Sequence, residues 1–460
     1  MLRFVIVFYR PFGLLLWGQQ EIDIFIAGCH NLTVKKKVGY AALGFLPLTT
    51  IWLWLTNRPL STRFGDYQSV AYSLGQISGL VGVTLFALVL FLNTRAKILE
   101  EAFDGLNKVF PIHHNLGKIT FFLILVHPGS FVLYYLLQGI SRVVDFIFGF
   151  KSLAFWAGPV ALGILTVIII ITLWVRIPYH IWRFIHQFIG VAFAAAAYHF
   201  IILGSDMAGG GWLRSHMLLM VGIGIGSYFY RTVLGLILVR KYQYLVENIS
   251  WLNKQTLELV LKPKGVRIKF EPGQFVFIKL ATQGLIEEQH PFSIISAPDE
   301  NNLRLAIKIL GDFTGKLPDT PIETPVKIEG PYGKFCQRSS KKRQIWIAGG
   351  IGVSPMIGMM SAISPKKKID FYYSVPHKSE AIYLDKIRQQ VSNVFKFKLW
   401  ESEKEGRLTA RNISKLSKNI KECLIYMCGP IPMMEDLKSQ FEELGVARDS
   451  IKSEEFKLVP

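Results

Sequence analysis

The chain has 460 residues, of which 51% are hydrophobic and 18% charged, and it is more apolar than a soluble protein of this length. Its formal charge of +19 comes without a stripe of basic and aromatic residues, which excludes a nucleic-acid partner and indicates loops beside anionic lipid. The apolar residues are concentrated before residue 240, and the rest reads as an ordinary soluble chain. We therefore predict a membrane part followed by a soluble part large enough for two small domains.

Six segments in the first half are long and apolar enough to cross a bilayer as helices, which takes about 17–25 residues. They are 38–56, 70–92, 115–137, 155–175, 184–204 and 214–239. The apolar run before them is interrupted by Arg3, Arg10 and Pro11. This interruption favours an amphipathic helix lying in the membrane plane, with a retained signal anchor as the alternative.

The basic residues of the loops predict the orientation of the membrane part, because basic loops stay on the cytoplasmic side. With the N-terminus inside, ten basic residues lie in inner segments: Arg3, Arg10, Lys35, Lys36, Lys37, Arg95, Lys97, Lys108, Arg176 and Arg183. Five lie in outer loops: Arg58, Arg63, Arg142, Lys151 and Arg214. Six spans then return the chain to the inside. The pattern indicates a multi-pass protein of a bacterial inner membrane with its soluble domains in the cytoplasm.

The third and fifth spans each carry one histidine near the inner face and another deeper in the membrane. His113 and His127 are 14 residues apart, and His186 and His199 are 13 apart. At about 1.5 Å per residue, each pair covers roughly 20 Å of membrane depth. Both spans run outward, so His113 lies level with His186, and His127 lies level with His199. Two imidazoles from two helices suit a six-coordinate haem, and the four histidines predict two haems.

Two other roles for these histidines are less consistent with the pattern. Zinc or copper would need three or four ligands that converge on one point, whereas these pairs lie at two depths. A proton relay would usually include Asp or Glu, and no acidic residue lies deep in the six segments.

Helical phase favours His113 over His114 as the inner ligand of the third span. Fourteen positions return to within about 40° of the same helix face, whereas thirteen miss it by about 140°. The same test disfavours His186 and His199 as a pair on one face, a conflict that the sequence leaves open.

Residues 241–338 read as short strands between turn residues, which predicts a small antiparallel barrel. The strand segments are YQYLVENISWL, TLELVLKP, QFVFIKL, LRLAIKIL and PVKIEGPYG. HPFSIISAP (290–298) reads as a further strand and turn. Glycine and small hydroxyl residues, which let backbone N–H groups approach a pyrophosphate, occur in IKILGDFT (307–314) and GPYG (330–333).

Residues 339–460 alternate strands and helices, which predicts a parallel sheet. GGIGVSP (349–355) is a glycine-rich turn at the end of a buried strand, where a dinucleotide pyrophosphate would meet a helix N-terminus. It is less than a full GxGxxG and is a weak signal alone. CGP (428–430) ends a later strand and faces the same crevice by topology. The four cysteines form no CxxC pair, which argues against an iron–sulfur cluster.

Together these motifs resemble the ferric reductase-like transmembrane family, which includes the NADPH oxidases. HPFSIISAP, GGIGVSP and CGP look like that family's flavin, pyridine-nucleotide and nicotinamide signatures, and the soluble part is similar to ferredoxin–NADP reductase. The resemblance implies a multidomain fold. Its parts are an N-terminal amphipathic segment (1–37), an all-α six-helix transmembrane haem domain (38–240), an antiparallel β-barrel FAD-binding domain (241–338) and an α/β Rossmann-like NAD(P)H-binding domain (339–460).

The resemblance also implies the cofactors FAD, two haem b groups and NADPH or NADH. The haem ligands would be His113, His127, His186 and His199. The flavin would contact His290, Pro291, Phe292 and Ser293, with Gly311 and Thr314 near its pyrophosphate. The dinucleotide would be held by Gly350, Gly352, Ser354 and Pro355, and the hydride site lined by Cys428, Gly429 and Pro430. Phe456 resembles the family's terminal aromatic, which covers the flavin, although four residues follow it here.

The activity that the resemblance implies is electron transfer from cytosolic NAD(P)H through FAD and two haems to an acceptor across the membrane. That acceptor would be a ferric chelate or dioxygen, which gives superoxide. The alternative is a membrane cytochrome that relays electrons to a partner protein or a quinone. The segment YSVPHKSE (373–380) lacks the arginine that NADPH-dependent members often carry there, so NADPH is favoured only weakly over NADH. Arg58 reads as an interfacial anchor or as a contact to the acceptor or to a haem propionate.

Overall fold

The computed structural model describes residues 32–149, 151–175, 177–204, 206, 211–235, 239–280, 289–335 and 343–454. The chain divides between Leu238 and Val239 into a helical unit and a unit that mixes strands and helices. Residues 1–31, which hold most of the predicted amphipathic segment, and Phe456 lie outside the described residues.

The described part of the first unit consists of ten α-helices. They are α1 Leu32–Asn57, α2 Leu60–Phe64, α3 Tyr67–Leu92, α4 Lys97–Phe103, α5 Leu106–Leu136, α6 Ile140–Phe148, α7 Leu153–Trp174, α8 Tyr179–Gln187, α9 Ile189–Leu203 and α10 Gly211–Tyr228. A short π-helical turn, Phe229–Val233, continues α10.

Five segments of the described chain are long and apolar enough to cross a membrane, and they coincide with the first five predicted spans. They are Val38–Asn57, Tyr67–Leu92, Leu106–Leu136, Leu153–Trp174 and His180–Leu203. The sixth predicted span corresponds to α10, which is not among them and which carries Arg214, Ser215 and His216 near its start. Its side chains Met217 and Met220 are nevertheless fully buried among the other helices. A sixth crossing therefore stays a prediction.

The second predicted span, α3, is the most buried of the five. The helix starts at Asp66, whose carboxylate accepts a hydrogen bond from the Ser69 N–H at 2.7 Å. Small residues along it allow close neighbours: a Cβ at Gly75 would lie 3.0 Å from the Phe131 ring of α5. Such van der Waals contact holds helices together in lipid, where no hydrophobic drive acts between them.

Three buried polar side chains join α1, α3 and α10. The Thr50 hydroxyl lies 3.0 Å from the Thr84 hydroxyl and 3.0 Å from His216 Nε2. All three side chains are buried. Because an unpaired polar group in a bilayer is costly, these mutual hydrogen bonds fix α10 against the first two spans.

The second unit begins with an antiparallel sheet. Its strands are β1 Lys241–Asn253, β2 Thr256–Pro263, β3 Phe275–Leu280, β4 His290–Ser293, β5 Leu303–Lys308 and β6 Pro325–Tyr332, with the short helix α11 Asp312–Gly315 before β6. They run in the order β4-β3-β6-β1-β2-β5. The edge strands β4 and β5 are linked by an isolated bridge between Ile294, the residue after the end of β4 at Ser293, and Leu305. The antiparallel strands are as the sequence predicts, but the sheet does not close into the predicted barrel.

The rest of this unit is a parallel sheet with helices between its strands. Its elements are β7 Arg343–Gly349, α12 Val353–Met360, β8 Lys368–Val375, α13 Leu384–Gln389, β9 Phe395–Glu401, α14 Ser402–Glu405, α15 Ala410–Leu416, β10 Leu424–Cys428, α16 Ile431–Glu443 and β11 Ile451–Glu454. The strand order is β11-β10-β7-β8-β9, and every neighbouring pair is parallel. The chain winds outward from β7 and then returns to its other side, so a topological switch point lies between β7 and β10. The sequence analysis did not predict β11.

A buried polar junction joins the two sheets. Glu258 of β2 accepts hydrogen bonds from Arg304 Nε at 2.8 Å and Arg304 Nη2 at 3.2 Å, and a further one from the Tyr383 hydroxyl. Asn253 Nδ2 donates to the Glu380 carbonyl at 2.9 Å beside it. Tyr383 has a φ of +59°, a left-handed conformation that is strained for a residue with a side chain.

Replacing Glu258 by glutamine should lower the unfolding free energy of the second unit by about 1–3 kcal/mol at neutral pH, the usual value of hydrogen bonds to a charged group. Burial opposes the charge of Glu258, but the bonds from Arg304 and Tyr383 outweigh it and lower the pKa of the carboxyl. A lowered folded pKa stabilises the fold above the unfolded pKa, about 4.3, and the benefit is lost as the pH falls below it. Denaturant titrations from pH 7 to about pH 3 measure this loss.

The matched control is Glu435→Gln, which removes an exposed carboxylate from α16. It should change stability by less than about 0.5 kcal/mol at every pH. A difference between Glu258→Gln and wild type that stays constant down to the lowest pH would show that the charge of Glu258 does not hold the junction.

Candidate functional site

The predicted outer histidines, His127 of α5 and His199 of α9, lie close together. Their ring centroids are 6.2 Å apart, and the ring planes are nearly perpendicular, at 88°. A metal bound at about 2 Å from one nitrogen of each ring would place the two centroids about 6 Å apart. The observed separation therefore fits one iron between the two imidazoles.

The hydrogen bonds of these two rings fix their tautomers. His127 Nδ1 lies 2.7 Å from the Gly75 carbonyl oxygen, and His199 Nδ1 lies 2.9 Å from the Ala154 carbonyl oxygen. A carbonyl only accepts, so each Nδ1 carries the hydrogen and donates it. The neutral rings then keep their lone pair on Nε2, which is the nitrogen that binds a metal.

Two glycines provide the space for these rings. A Cβ at Gly79 would lie 2.5 Å from His127 Nδ1, and one at Gly158 would lie 2.8 Å from His199 Nδ1. Any larger residue at either position would therefore push the imidazole away from its carbonyl partner. The sequence analysis missed both glycines, because only the packing of α3 on α5 and of α7 on α9 reveals their role.

The predicted inner histidines, His113 and His186, show the same kind of support. His113 Nδ1 lies 3.0 Å from the Val89 carbonyl oxygen, which again leaves the lone pair on Nε2. The His186 ring stacks on Trp182 with centroids 4.8 Å apart, and its Nδ1 lies 3.5 Å from the Thr172 hydroxyl. That hydroxyl gives its own hydrogen to the Ile168 carbonyl, so it can only accept from His186.

The fifth span has a short interruption between its two histidines. The helix α8 ends at Gln187 and α9 begins at Ile189, with Phe188 in a turn of right-handed helical dihedral angles between them. The chain keeps its helical direction there, so the conflict over the helical phase of His186 and His199 stays as the sequence left it. For the doublet in the third span, His113 keeps the tautomer that metal binding requires, and it stays the predicted ligand over His114.

A polar cluster lies beside the outer histidines. The Arg63 guanidinium is 2% exposed and donates from Nη2 to the Trp54 carbonyl at 2.7 Å and from Nη1 to Gln76 Oε1 at 3.2 Å. Gln76 directly follows Gly75, the partner of His127. Asp206 lies 3.4 Å from Arg63 Nη1 and 2.7 Å from Arg58 Nε. Arg58, predicted as an anchor or an acceptor contact, is thus engaged in an ion pair that the sequence did not reveal.

This cluster keeps an excess of positive charge. Arg58 and Arg63 share the single carboxylate of Asp206. Among the described residues, the donors Arg63 Nε and Trp54 Nε1 and the acceptor Asp206 Oδ1 are buried without a hydrogen bond, although Asp206 Oδ1 makes the ion pair with Arg58. The two unsatisfied donors and the net positive charge suit an anionic group or another acceptor.

The predicted flavin segment His290–Ser293 forms strand β4, paired with β3. The His290 ring stacks on Phe313 with centroids 4.1 Å apart. The Thr314 hydroxyl accepts hydrogen bonds from the N–H groups of Leu310 at 2.9 Å and Gly311 at 3.1 Å. Gly311 and Thr314 thus close a turn on themselves, in the place where the sequence predicts N–H groups that bind a pyrophosphate.

The structure brings the two nucleotide motifs into backbone contact. A Cβ at Gly352 would lie 2.2 Å from the Cys428 carbonyl oxygen, and one at Gly349 would lie 2.8 Å from Pro430 Cδ. Gly350 has a φ of +54°, which favours glycine. Both motifs follow neighbouring strands, β7 and β10, at the switch point, where parallel sheets bind their ligands.

Two of the predicted nucleotide ligands hold the turn itself. Ser354 is buried, and its hydroxyl donates to the Ile351 carbonyl at 2.8 Å. Pro355 is also buried, within the first turn of α12. Their side chains therefore stabilise the glycine-rich turn. Contact with a dinucleotide would then come from the backbone of that turn.

Cys428 lies at the end of β10, 2% exposed, opposite Glu454 of β11 in the parallel ladder. Burial, together with the nearby charge of Glu454, raises the pKa of the Cys428 thiol well above its usual value. The thiol is therefore neutral at physiological pH. Glu454, itself buried, is a site residue that the sequence analysis missed, because β11 was not predicted. Among the described residues, no group of three or more His, Cys, Asp or Glu side chains could hold a metal ion.

Three family models match consecutive parts of the chain. Residues 78–197 match the ferric reductase like transmembrane component, 241–336 an FAD-binding domain, and 346–439 an oxidoreductase NAD-binding domain. The matches occur in the order that the motifs predict, so the predicted resemblance is confirmed.

Curated relatives match parts of the chain. A heavy chain of the superoxide-generating NADPH oxidase of Dictyostelium discoideum is 33% identical over 22% of this chain and 23% of its own length. Flavohemoprotein A of the same organism is 24% identical over 40% of this chain and 52% of its own length. The chain therefore spans only about half, or less, of these relatives.

Among solved structures, the flavohem-like FAD/NAD binding domain of nitric oxide dioxygenase from Vibrio cholerae is 20% identical, with a TM-score of 0.42. That match covers 46% of this chain and 97% of the Vibrio cholerae domain.

Proposed function

Because the chain joins a ferric reductase-like transmembrane domain to FAD-binding and NAD-binding domains, we propose that it is a transmembrane NAD(P)H oxidoreductase. Electrons pass from NAD(P)H through FAD and two bis-histidine haems to an acceptor at the opposite face of the membrane. The soluble domains are cytoplasmic, and the membrane is a bacterial inner membrane. The acceptor is a ferric chelate or dioxygen.

The observation that carries this proposal is the outer pair of histidines. His127 and His199 come from different helices, have ring centroids 6.2 Å apart, and both use Nδ1 to bind a backbone carbonyl. A histidine that only satisfied its own hydrogen bonds would need no second imidazole at this distance from it. His113 and His186 would hold the second haem in the same way.

The residues of the second unit suit the hydride step. When bound, FAD accepts a hydride as two electrons and releases them singly, and haem iron carries one electron at a time. The glycine-rich turn and the end of β10 form the crevice that would take the nicotinamide dinucleotide. Cys428 would present a neutral thiol there, which excludes water and adds no charge that opposes hydride transfer.

The polar cluster at Arg58, Arg63 and Asp206 suits the outer end of the path. Two arginines share one carboxylate, and the unpaired donors Arg63 Nε and Trp54 Nε1 are buried beside them. These donors would hold a propionate of the outer haem or an anionic acceptor. A positive cluster at this position would also favour the arrival of an electron near His127 and His199.

The proposal is tested on the purified full-length protein. We expect two haems per FAD by absorbance and pyridine-adduct analysis, and complete haem reduction by a nicotinamide nucleotide under anaerobic conditions. Reduction of the flavin without any haem spectrum in the intact protein would contradict the relay.

The acceptor is then identified by following superoxide and ferrous-chelate formation in parallel. Superoxide formation would indicate an oxidase, and ferrous chelate without superoxide would indicate a reductase. Electron transfer to neither, with rapid oxidation by an added quinone or protein partner, would favour the alternative of a relay cytochrome.

A further inference from the structure

Charged side chains surround the ends of β8 and β9, beside the glycine-rich turn, and together they are called the charged rim below. The ends of β8 at Val375 and β9 at Glu401 lie at the same edge as the end of β7, because the three strands are parallel neighbours. In such sheets the pyrophosphate sits at the glycine-rich turn and the dinucleotide crosses the strand ends. Cys428 places the nicotinamide on the β10 side of the turn. The adenosine half therefore lies on the other side, over β8 and β9.

Three basic side chains of this rim, His377, Lys398 and Lys404, contact glutamate carboxylates. His377 Nε2 lies 2.8 Å from Glu403 Oε2, and Lys404 Nζ lies 2.9 Å from Glu401 Oε2. The backbone N–H of Lys378 also donates to Glu401 Oε2, at 3.1 Å. Lys398 Nζ of β9 lies 2.9 Å from Glu405 Oε2 at the end of α14. The sequence places His377 and Lys378 where a cation for NADPH is expected, but the structure commits His377 to Glu403.

The two nicotinamide nucleotides differ at this rim by one group. NADPH carries a phosphate on the adenosine ribose, close to two negative charges near neutral pH, and proteins bind it with open Arg or Lys donors. NADH carries a hydroxyl there, and this hydroxyl can donate a hydrogen bond to a carboxylate. A phosphate at the ends of β8 and β9 would lie beside the carboxylates of both Glu401 and Glu403. The hydroxyl of NADH meets no such obstacle.

We propose that this chain uses NADH in preference to NADPH, and that Glu401 and Glu403 exclude the 2′-phosphate. This inference rests on the proposed function, because it concerns the nucleotide that supplies the electrons. It differs from the weak preference for NADPH that was predicted from the motifs, since the sequence did not show that Glu403 contacts His377.

The test compares both nucleotides on the purified full-length protein by anaerobic flavin reduction. We expect kcat/KM for NADH to exceed that for NADPH by at least about tenfold, the effect of one unfavourable charge contact of moderate strength. The variant Glu401→Gln/Glu403→Gln should raise kcat/KM for NADPH by about tenfold and lower its KM, because it removes both carboxylates and releases His377 and Lys404. Higher salt should reduce the difference between the nucleotides in the wild type.

The control is Glu443→Gln, which removes an exposed charge at the end of α16, at the opposite edge of the sheet from the rim. It should leave the preference unchanged. If the double variant loses its flavin, the single variant Glu403→Gln, at a half-exposed position, serves in its place and should move the preference in the same direction.

Equal or better use of NADPH by the wild type would overturn the inference and leave the proposed function intact. A wild-type preference for NADH that the variants do not change would overturn the role of Glu401 and Glu403. Flavin reduction by neither nucleotide would instead contradict the proposed function.

Discussion

Replacing His199 by leucine is expected to halve the haem content, from two haems per flavin to one, and to leave flavin reduction by the nucleotide unchanged. The ring centroids of His199 and His127 are 6.2 Å apart, and leucine provides no ligand for the iron between them. Electron transfer to an acceptor outside should fall by at least about 100-fold, since changes to groups that only orient a metal ligand already cost about 10–100-fold. Haem and flavin are counted by absorbance, and flavin and acceptor reduction are followed separately by stopped flow.

The matched control is His114→Leu, the same substitution at a histidine of the third span that is not a predicted ligand. It should keep both haems, whereas His113→Leu should lose the inner one and stop electrons before they reach His127. Retention of two haems by His199→Leu would show that the ligand assignment is wrong. Loss of a haem in His114→Leu but not in His113→Leu would show that His114, and not His113, is the inner ligand.

The sequence predicts the spans well because their signal is local. A run of apolar residues of sufficient length must become a helix in lipid wherever its neighbours lie, and five predicted spans match helices of the structure. The short interruption at Phe188 was not predicted, because a turn at phenylalanine, with ordinary dihedral angles, has no composition signal.

Residues that act through tertiary contacts were the ones that the sequence could not identify. Gly79 and Gly158 are ordinary glycines in apolar helices until the histidines that they accommodate are in place. Asp206 follows a span and reads as a loop residue, yet it binds Arg58 and Arg63. Glu454 lies on a strand of only four residues, too short for alternation to show.

The nucleotide motifs of the second unit were easier to predict, because the topology of a parallel sheet determines where its strand ends meet. Once GGIGVSP and CGP are assigned to the ends of two strands of one parallel sheet, their proximity follows from the fold. Their backbone contact does not follow, since it depends on residues without side chains at the crossing. Gly352 is the residue that makes this contact possible.

Replacing Gly352 by alanine is therefore expected to abolish nucleotide-driven flavin reduction. The new Cβ would lie 2.2 Å from the Cys428 carbonyl oxygen, 2.4 Å from its carbon and 2.7 Å from the Gly429 nitrogen. All three are backbone atoms at the end of a buried strand, so no side chain can rotate away to relieve the contact. Overpacking of this kind costs about 1–3 kcal/mol or more, and it moves Cys428 away from the glycine-rich turn.

Alanine variants at two other glycines distinguish the effect of this steric clash from the effect of replacing a glycine as such. Gly315→Ala adds a Cβ with no neighbour within 4 Å and should behave as wild type. Gly350→Ala also meets no atom but sits at a φ of +54°, so it should lose only about 1 kcal/mol through backbone strain and keep part of its activity. The expected order of rates is Gly315→Ala, then Gly350→Ala, then Gly352→Ala.

The readout compares flavin reduction by the nucleotide with reduction by dithionite in the same full-length protein. In Gly352→Ala, dithionite should still reduce any bound flavin and both haems, because the histidines of the membrane unit are untouched. The defect would then lie in the crevice between the two motifs, at the step that delivers the hydride. Wild-type rates with the nucleotide in Gly352→Ala would mean that the ends of β7 and β10 are not where the nicotinamide reacts.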